Sequence, residues 1–261
     1  MLADTSYGII WRRTKYEYMS CATVPPKDIR ALEALVRERG FGWTLPKRGK
    51  LRRSPVPSGI GWVDSRLGGG LPRGAISEVT GPCSSGRTGL VLAALARTTQ
   101  AGGIAAYIDT TDCLDPRSAG QAGVVLERLL WIRCGAGENA RRDQGKRRLS
   151  RMDEAWQTAN LVVSAGGFGV VAIDLGGLSM RQLGGLQGRT WARLKHAVED
   201  TPTALIVLAE KHVAGSAADV VLELCRERTE WHGLLGGIGI RVQVARHRAR
   251  GADSTGLEGE A

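Results

Sequence analysis

The chain contains no run of about eighteen consecutive apolar residues, which excludes a membrane-spanning helix of the usual kind and leaves no membrane partner to expect. Its five cysteines, Cys21, Cys83, Cys113, Cys134 and Cys225, are odd in number, scattered, and lack metal-ligand spacing. That pattern argues against a disulfide framework and for a reducing cytoplasm. His196, His212, His232 and His247 stand far apart and no paired cysteines accompany them, so no zinc site is expected. Aromatic residues are 5% of the chain, and none interleaves its two basic runs, so nothing supports base stacking there. The N-terminus also lacks the basic, then apolar, then small pattern of a secretory signal; Met19, followed by small residues, offers an alternative start that would leave 1–18 as an extension.

What is present is an ordinary globular composition, 43% apolar and 24% charged over 261 residues, enough for one large domain or a domain with an appendage. The formal net charge of +10 is unevenly placed. Residues 1–57 carry +7, residues 58–140 are neutral, 141–151 carry +5, and 152–261 carry −2. The surplus therefore belongs to two short segments. One holds Arg48, Lys50, Arg52 and Arg53 between Pro46 and Pro55; the other holds Arg147 and Arg148. Each reads either as a solvated charged loop or as a salt-sensitive contact to a phosphate backbone.

Hydrophobic periodicity predicts an amphipathic helix over 28–39, with Ile29, Leu32, Leu35 and Val36 on one face and Gly40 as its stop. A Pro- and basic-rich linker follows to about residue 57. From 58 to 250, short apolar runs alternate with helical stretches. Strands are predicted at 75–81, 104–109, 129–134, 170–174, 204–210, 220–224 and 240–248, and helices at 86–101, 151–166 and 188–200. Such alternation predicts an α/β domain built on a mainly parallel central sheet flanked by helices. The last strands, closer together and more alternating, read as antiparallel additions. Residues 251–261 read as a disordered tail.

Gly81 to Thr88 reads Gly-Pro-Cys-Ser-Ser-Gly-Arg-Thr, the phosphate-loop pattern with arginine where lysine is usual. Glycines let backbone N–H groups curl around phosphates, and the following helix presents its positive end to them. On this reading Gly81, Ser84, Ser85, Gly86, Arg87 and Thr88 would cradle a nucleotide. Thr88, together with Asp174 at the end of the apolar run Val170 to Asp174, would hold Mg²⁺. The competing reading is a Gly-rich strand-to-helix turn without nucleotide. Asp109 closes a second apolar run, and Asp115, before Pro116, reads best as a helix N-cap.

Together these segments resemble the RecA-family ATPase core. Ser58 to Gly74 is similar to the Gly-rich stretch that precedes the family's first core strand, and Gly81 to Leu90 to its phosphate loop. Tyr107 to Pro116 is similar to the segment carrying its catalytic glutamate, Val170 to Asp174 to its metal-binding strand, and Arg241 to Arg248 to a late strand with two basic residues. The order is collinear over 58–250. The resemblance implies losses as well. The phosphate-loop lysine is Arg87, the water-activating glutamate falls at Thr111, the adenine-stacking tyrosine at Ser118, and the γ-phosphate-sensing Asn-Gln pair at Ala209 and Glu210. Lys211 to Asp219 leaves little of the second DNA-binding loop, and Arg246 and Arg248 stand where the family carries subunit-bridging lysines.

Among degenerate members the chain is most similar to the ImuA type, through its helix and basic linker ahead of a core without a large C-terminal domain. That resemblance implies a pseudo-ATPase, with Mg-ATP bound but not hydrolysed if bound at all. It implies a role in translesion synthesis and mutagenesis after DNA damage, alongside a RecA-type recombinase and error-prone polymerase components, in the nucleoid-associated cytoplasm. The other reading is a DNA-dependent ATPase of recombination or repair that tolerates Arg87. DNA binding is expected to be weak and non-specific, through Arg48, Lys50, Arg52, Arg53, Arg147, Arg148, Arg246 and Arg248.

Overall fold

The computed structural model describes residues 22–23, 54–134, 151–183, 188–231 and 235–248. The helix expected over 28–39, the basic part of the linker with Arg48, Lys50, Arg52 and Arg53, the run with Arg147 and Arg148, and the tail 251–261 lie outside the described residues.

Apolar runs, buried on both sides at the centre of the sheet, supply most of the strands of one sheet. These are β2 (Ala75–Thr80), β3 (Ile104–Asp109), β4 (Leu129–Arg133), β5 (Phe168–Asp174), β6 (Ala204–Ala209), β7 (Val220–Trp231) and β8 (Leu235–His247), with a two-residue β1 (Ala22–Thr23) at one edge. The order is β1-β4-β3-β5-β6-β2-β7-β8. All neighbours are parallel except β7 and β8, so the antiparallel pair lies at the C-terminal end as expected, while β7 itself runs parallel to β2. Every residue of β2 and of β6 is buried, the signature of a parallel strand covered on both faces.

Helices supply the covers: α1 (Gly61–Leu67), α2 (Arg87–Gln100), α3 (Pro116–Gln121), α4 (Arg151–Ala165), α5 (Met180–Leu183) and α6 (Gly188–Glu199). Alternation along the strands sorts the core into two layers. Tyr107, Val170, Ala172, Ile206 and Leu208 face α1, α2 and α3, whereas Ile108, Val171, Ile173, Leu205 and Val207 face α4 and α6. Helix α6 buries only Trp191, Leu194 and Val198, one stripe at helical spacing, and Trp191 meets Trp156 of α4 edge to face at 4.6 Å. Among the described residues no helix is long and apolar enough to cross a membrane.

Two elements exceed what periodicity shows. Helix α1 has seven residues between Gly61 and a left-handed Gly68, too few for a repeat to stand out in a glycine-rich stretch. It is tied instead by the Ser58 N–H donating to Asp64 Oδ1 at 2.7 Å. Strand β7 pairs with β2 only over Val220 to Glu223 and then continues with β8 alone to Trp231. Residues 225–231 are largely charged because this ribbon has left the sheet, so no apolar run marks them.

Candidate functional site

Because β2, β3, β5 and β6 are parallel and in register, their C-terminal ends meet along one edge, where open α/β sheets bind ligands. The loop from Gly81 to Thr88 leaves β2 at that edge and enters α2, with Gly86 as the helix cap in the left-handed region at φ 87°. A side chain at Gly86 would run into Ile240 of β8, and one at Gly81 into the Leu224 carbonyl of β7. The ribbon thus presses on both ends of the loop, and glycine is required at each. Inside the loop the Ser85 N–H donates back to the Pro82 carbonyl at 3.2 Å, while Ser84 sits at φ 60°.

Two polar groups here are buried without a partner, Ser85 Oγ and Arg87 Nη1. A buried donor with no acceptor is costly, and two of them beside the unpaired first N–H groups of a 14-residue helix fit a polyphosphate ligand. Arg87 extends toward β5, its Nη2 4.0 Å from where a β-carbon on Gly176 would lie. With such a ligand bound, Ser84, Ser85, Gly86 and Arg87 would hold the phosphates. Thr88, exposed in the first turn of α2, and Asp174 would hold Mg²⁺, whose charge would neutralise the phosphates.

Asp174 lies opposite Asp109 in the β3–β5 register, with Tyr107 opposite Ala172, so Tyr107 reaches Asp174 diagonally on the same face. The Tyr107 hydroxyl donates to Asp174 Oδ2 at 2.5 Å, and the Gly176 N–H donates to Oδ1 at 2.8 Å. Burial raises the Asp174 carboxyl above the usual carboxylate range, against the opposing pull of Tyr107, Gly176 and Arg87. Burial, reinforced by the Asp174 charge, likewise pushes Tyr107 far up. A raised folded-state pKa means the folded protein holds the Asp174 proton more tightly than the unfolded chain. The stabilisation is full below the unfolded carboxylate value and is lost as pH rises through the raised one. The neutral variant Asp174→Asn, which keeps an oxygen for Gly176 and a donor for the Tyr107 oxygen, is therefore expected to melt higher than the parent at neutral pH. The gain should shrink as the pH is lowered, as thermal melts across a pH series will show.

At the end of β3 every carboxylate is engaged. Asp109 is fully buried; Oδ1 accepts the N–H groups of Thr111 (3.1 Å), Asp112 (2.7 Å) and Cys113 (3.3 Å), and Oδ2 those of Leu114 (2.9 Å) and the Trp131 indole (3.2 Å). Asp112 takes both prongs of the Arg133 guanidinium, which lies 5.0 Å over the Trp131 ring and holds the Asp112 carboxyl below its usual range. Asp115 caps α3, accepting the Arg117 and Ser118 N–H groups and the Ser118 hydroxyl. Thr111 brings a hydroxyl to this loop and no carboxylate.

Past β6, exposed Glu210 places Oε1 3.5 Å from Cys83 Sγ of the phosphate loop. Glu78, fully buried in β2, accepts the N–H groups of Val213 (2.6 Å) and Ala214 (3.0 Å) and pairs with His212, which draws the β6–β7 connection over β2. Arg246 Nη1 donates to the Gly215 carbonyl at 2.6 Å and Arg248 Nη2 to that of Ser216 at 2.5 Å. Arg248 also pairs with Asp219 at 3.1 Å, as does Lys195 at 3.0 Å.

The family model of the RecA N-terminal domain matches residues 32–175, more than half of the chain. The chain belongs to the RecA family. Protein RecA of Picosynechococcus sp. is 38% identical over 128 residues, 47% of this chain and 37% of that protein. Protein RecA of Clavibacter michiganensis is 38% identical over 148 residues, 55% of this chain and 36% of that protein. The alignments thus span little more than a third of the length of these relatives. A crystal structure of the RadB recombinase shares the fold, with a TM-score of 0.54 and 18% identity over 77% of this chain and 93% of that one.

Within this RecA-family core the structure brings together Gly81, Ser84, Ser85, Gly86, Arg87, Thr88 and Asp174 at one sheet edge. Arg246 and Arg248 bind the 215–219 turn with part of their donors. The roles of Tyr107, Trp131, Arg133 and Glu78 were missed by sequence reasoning. For Tyr107 a signal existed, since it stands two residues before Asp109 and so shares its strand face; the others meet partners remote in sequence.

Proposed function

We propose that this RecA-family core is a pseudo-ATPase acting as an accessory and regulatory protein in DNA-damage-induced translesion synthesis and mutagenesis. It works through contacts with a RecA-type recombinase, error-prone polymerase components, or both, and keeps its Mg-nucleotide as an unhydrolysed structural ligand. The observation that carries the reading is the commitment of Asp109, Asp112 and Asp115 to the protein's own groups while position 111 is threonine. Phosphoryl transfer to water needs a group that orients and activates that water, and no carboxylate on the β3 exit loop is left to do so. The accessory role rests on the likeness to the ImuA type. Its DNA or partner contacts are assigned to the basic appendages, Arg48, Lys50, Arg52, Arg53, Arg147 and Arg148, with Arg246 and Arg248 adding charge at the core surface. Such contacts would place the protein at the cytoplasmic nucleoid.

Phosphate release from Mg-ATP by the full chain, with and without single-stranded DNA, is expected to match buffer alone, and immobilised RecA-type recombinase is expected to retain the protein. The unpartnered Arg87 Nη1 and the retained Thr88 and Asp174 favour a second reading, a DNA-dependent ATPase of recombination or repair. Turnover stimulated by single-stranded DNA and lost in Asp174→Ala would establish that reading instead.

A further inference from the structure

We propose that the phosphate loop selects a nucleoside diphosphate over the corresponding triphosphate, and that Glu210 is the residue that sets the preference. The inference rests on the reading that this loop keeps a nucleotide it does not hydrolyse. The loop is built to bind phosphate: Ser85 is 1% exposed with its Oγ unpartnered, that oxygen lies 2.6 Å from where a β-carbon on Gly81 would stand, and Arg87 Nη1 is buried without an acceptor. Its appetite for charge is limited, however. The basic side chain of the loop is Arg87, a planar fork that engages one phosphate with two prongs, and it already lies against the β5 turn beside Asp174.

On the opposite rim stands a carboxylate. Glu210 follows β6, the neighbour of β2, whose last residue Thr80 is registered with Ala209. The loop and Glu210 therefore leave adjacent strands side by side, which brings Glu210 Oε1 to 3.5 Å from Cys83 Sγ. Each further phosphate adds negative charge, and a carboxylate beside the loop penalises the longer chain more than the shorter. Two unit charges a few ångströms apart near a protein surface repel by enough to change an equilibrium about tenfold or more. Glu210 is exposed and its neighbour Cys83 is as well, so its replacement leaves the core untouched.

Calorimetric titration of the full chain with Mg-ADP and with the non-hydrolysable Mg-AMP-PNP, in the parent and in Glu210→Gln, tests the inference. The diphosphate is expected to bind about tenfold tighter in the parent. Glu210→Gln should reduce that ratio at least about threefold by strengthening the triphosphate analogue, and so should raised salt in the parent, by screening the carboxylate. Equal affinities, a tighter triphosphate analogue, a ratio unchanged in Glu210→Gln, or no binding of either nucleotide at millimolar concentration would each overturn the inference. Absence of binding would also overturn the bound-nucleotide reading, whereas the other outcomes leave it standing; the accessory role fails separately if DNA-stimulated turnover of ATP is found.

Discussion

Asp109→Ala is expected to destabilise the protein by about 3–5 kcal/mol, among the largest single-residue effects in the chain. The reason is a count of donors. One fully buried carboxylate receives four backbone N–H groups of the β3 exit loop and the Trp131 indole. Each buried donor left unpaired costs about 1–3 kcal/mol, and water can reach only part of this set once the side chain is gone. Asp109→Asn separates charge from shape. Its oxygen can keep the Thr111, Asp112 and Cys113 donors, but its amide turns a donor toward the Leu114 and Trp131 N–H groups, for an expected cost of about 2 kcal/mol. Urea denaturation followed by tryptophan fluorescence measures both. A loss below about 1 kcal/mol for the alanine variant would show that the loop holds its course without Asp109.

Glu78→Ala is expected to cost a similar amount, about 3–5 kcal/mol, by a different route. The carboxylate lies within a strand that is buried at every position, and it compensates for its own burial by accepting Val213 and Ala214 and by facing His212. Alanine leaves a cavity under the β6–β7 connection and two N–H groups without an acceptor. Glu78→Gln, with one oxygen retained, should lose about 1–2 kcal/mol. Limited proteolysis supplies a local readout: new cleavage between residues 210 and 219 is expected in the alanine variant, while the α4–α6 layer around Trp156 and Trp191 stays protected.

These two residues also show where sequence reading stops. The strands were legible because a parallel strand covered on both faces is predominantly apolar, so β3 falls on the expected 104–109 and β6 within one residue of its expected range. Helices α2, α4 and α6 were legible for the matching reason of periodicity. The phosphate loop was legible because its chemistry is local, eight consecutive residues between a strand and a helix. By contrast, Tyr107 and Asp174 are 67 residues apart, Asp109 and Trp131 are 22 apart, Cys83 and Glu210 are 127 apart, and Glu78 and Val213 are 135 apart. No local pattern encodes such pairs. Helix α1 and the outer half of β7, residues 225–231, are not legible in the sequence because one is too short to show a period and the other too charged to show an apolar run.

The order of residues alone points to an α/β core of the RecA type, to a phosphate loop with Arg87 in place of lysine, and to a hydroxyl rather than a carboxylate at position 111. What the remaining carboxylates do emerges from the folded chain: Asp109 binds its own loop, Asp112 is held by Arg133, burial beside Tyr107 raises the Asp174 pKa, and Glu210 stands beside the phosphate loop. The division follows from how side chains meet in a parallel sheet. Which residues are apolar is written along each strand, but which polar groups face each other depends on strand order and register, and these exist only once β2, β3, β5 and β6 lie side by side.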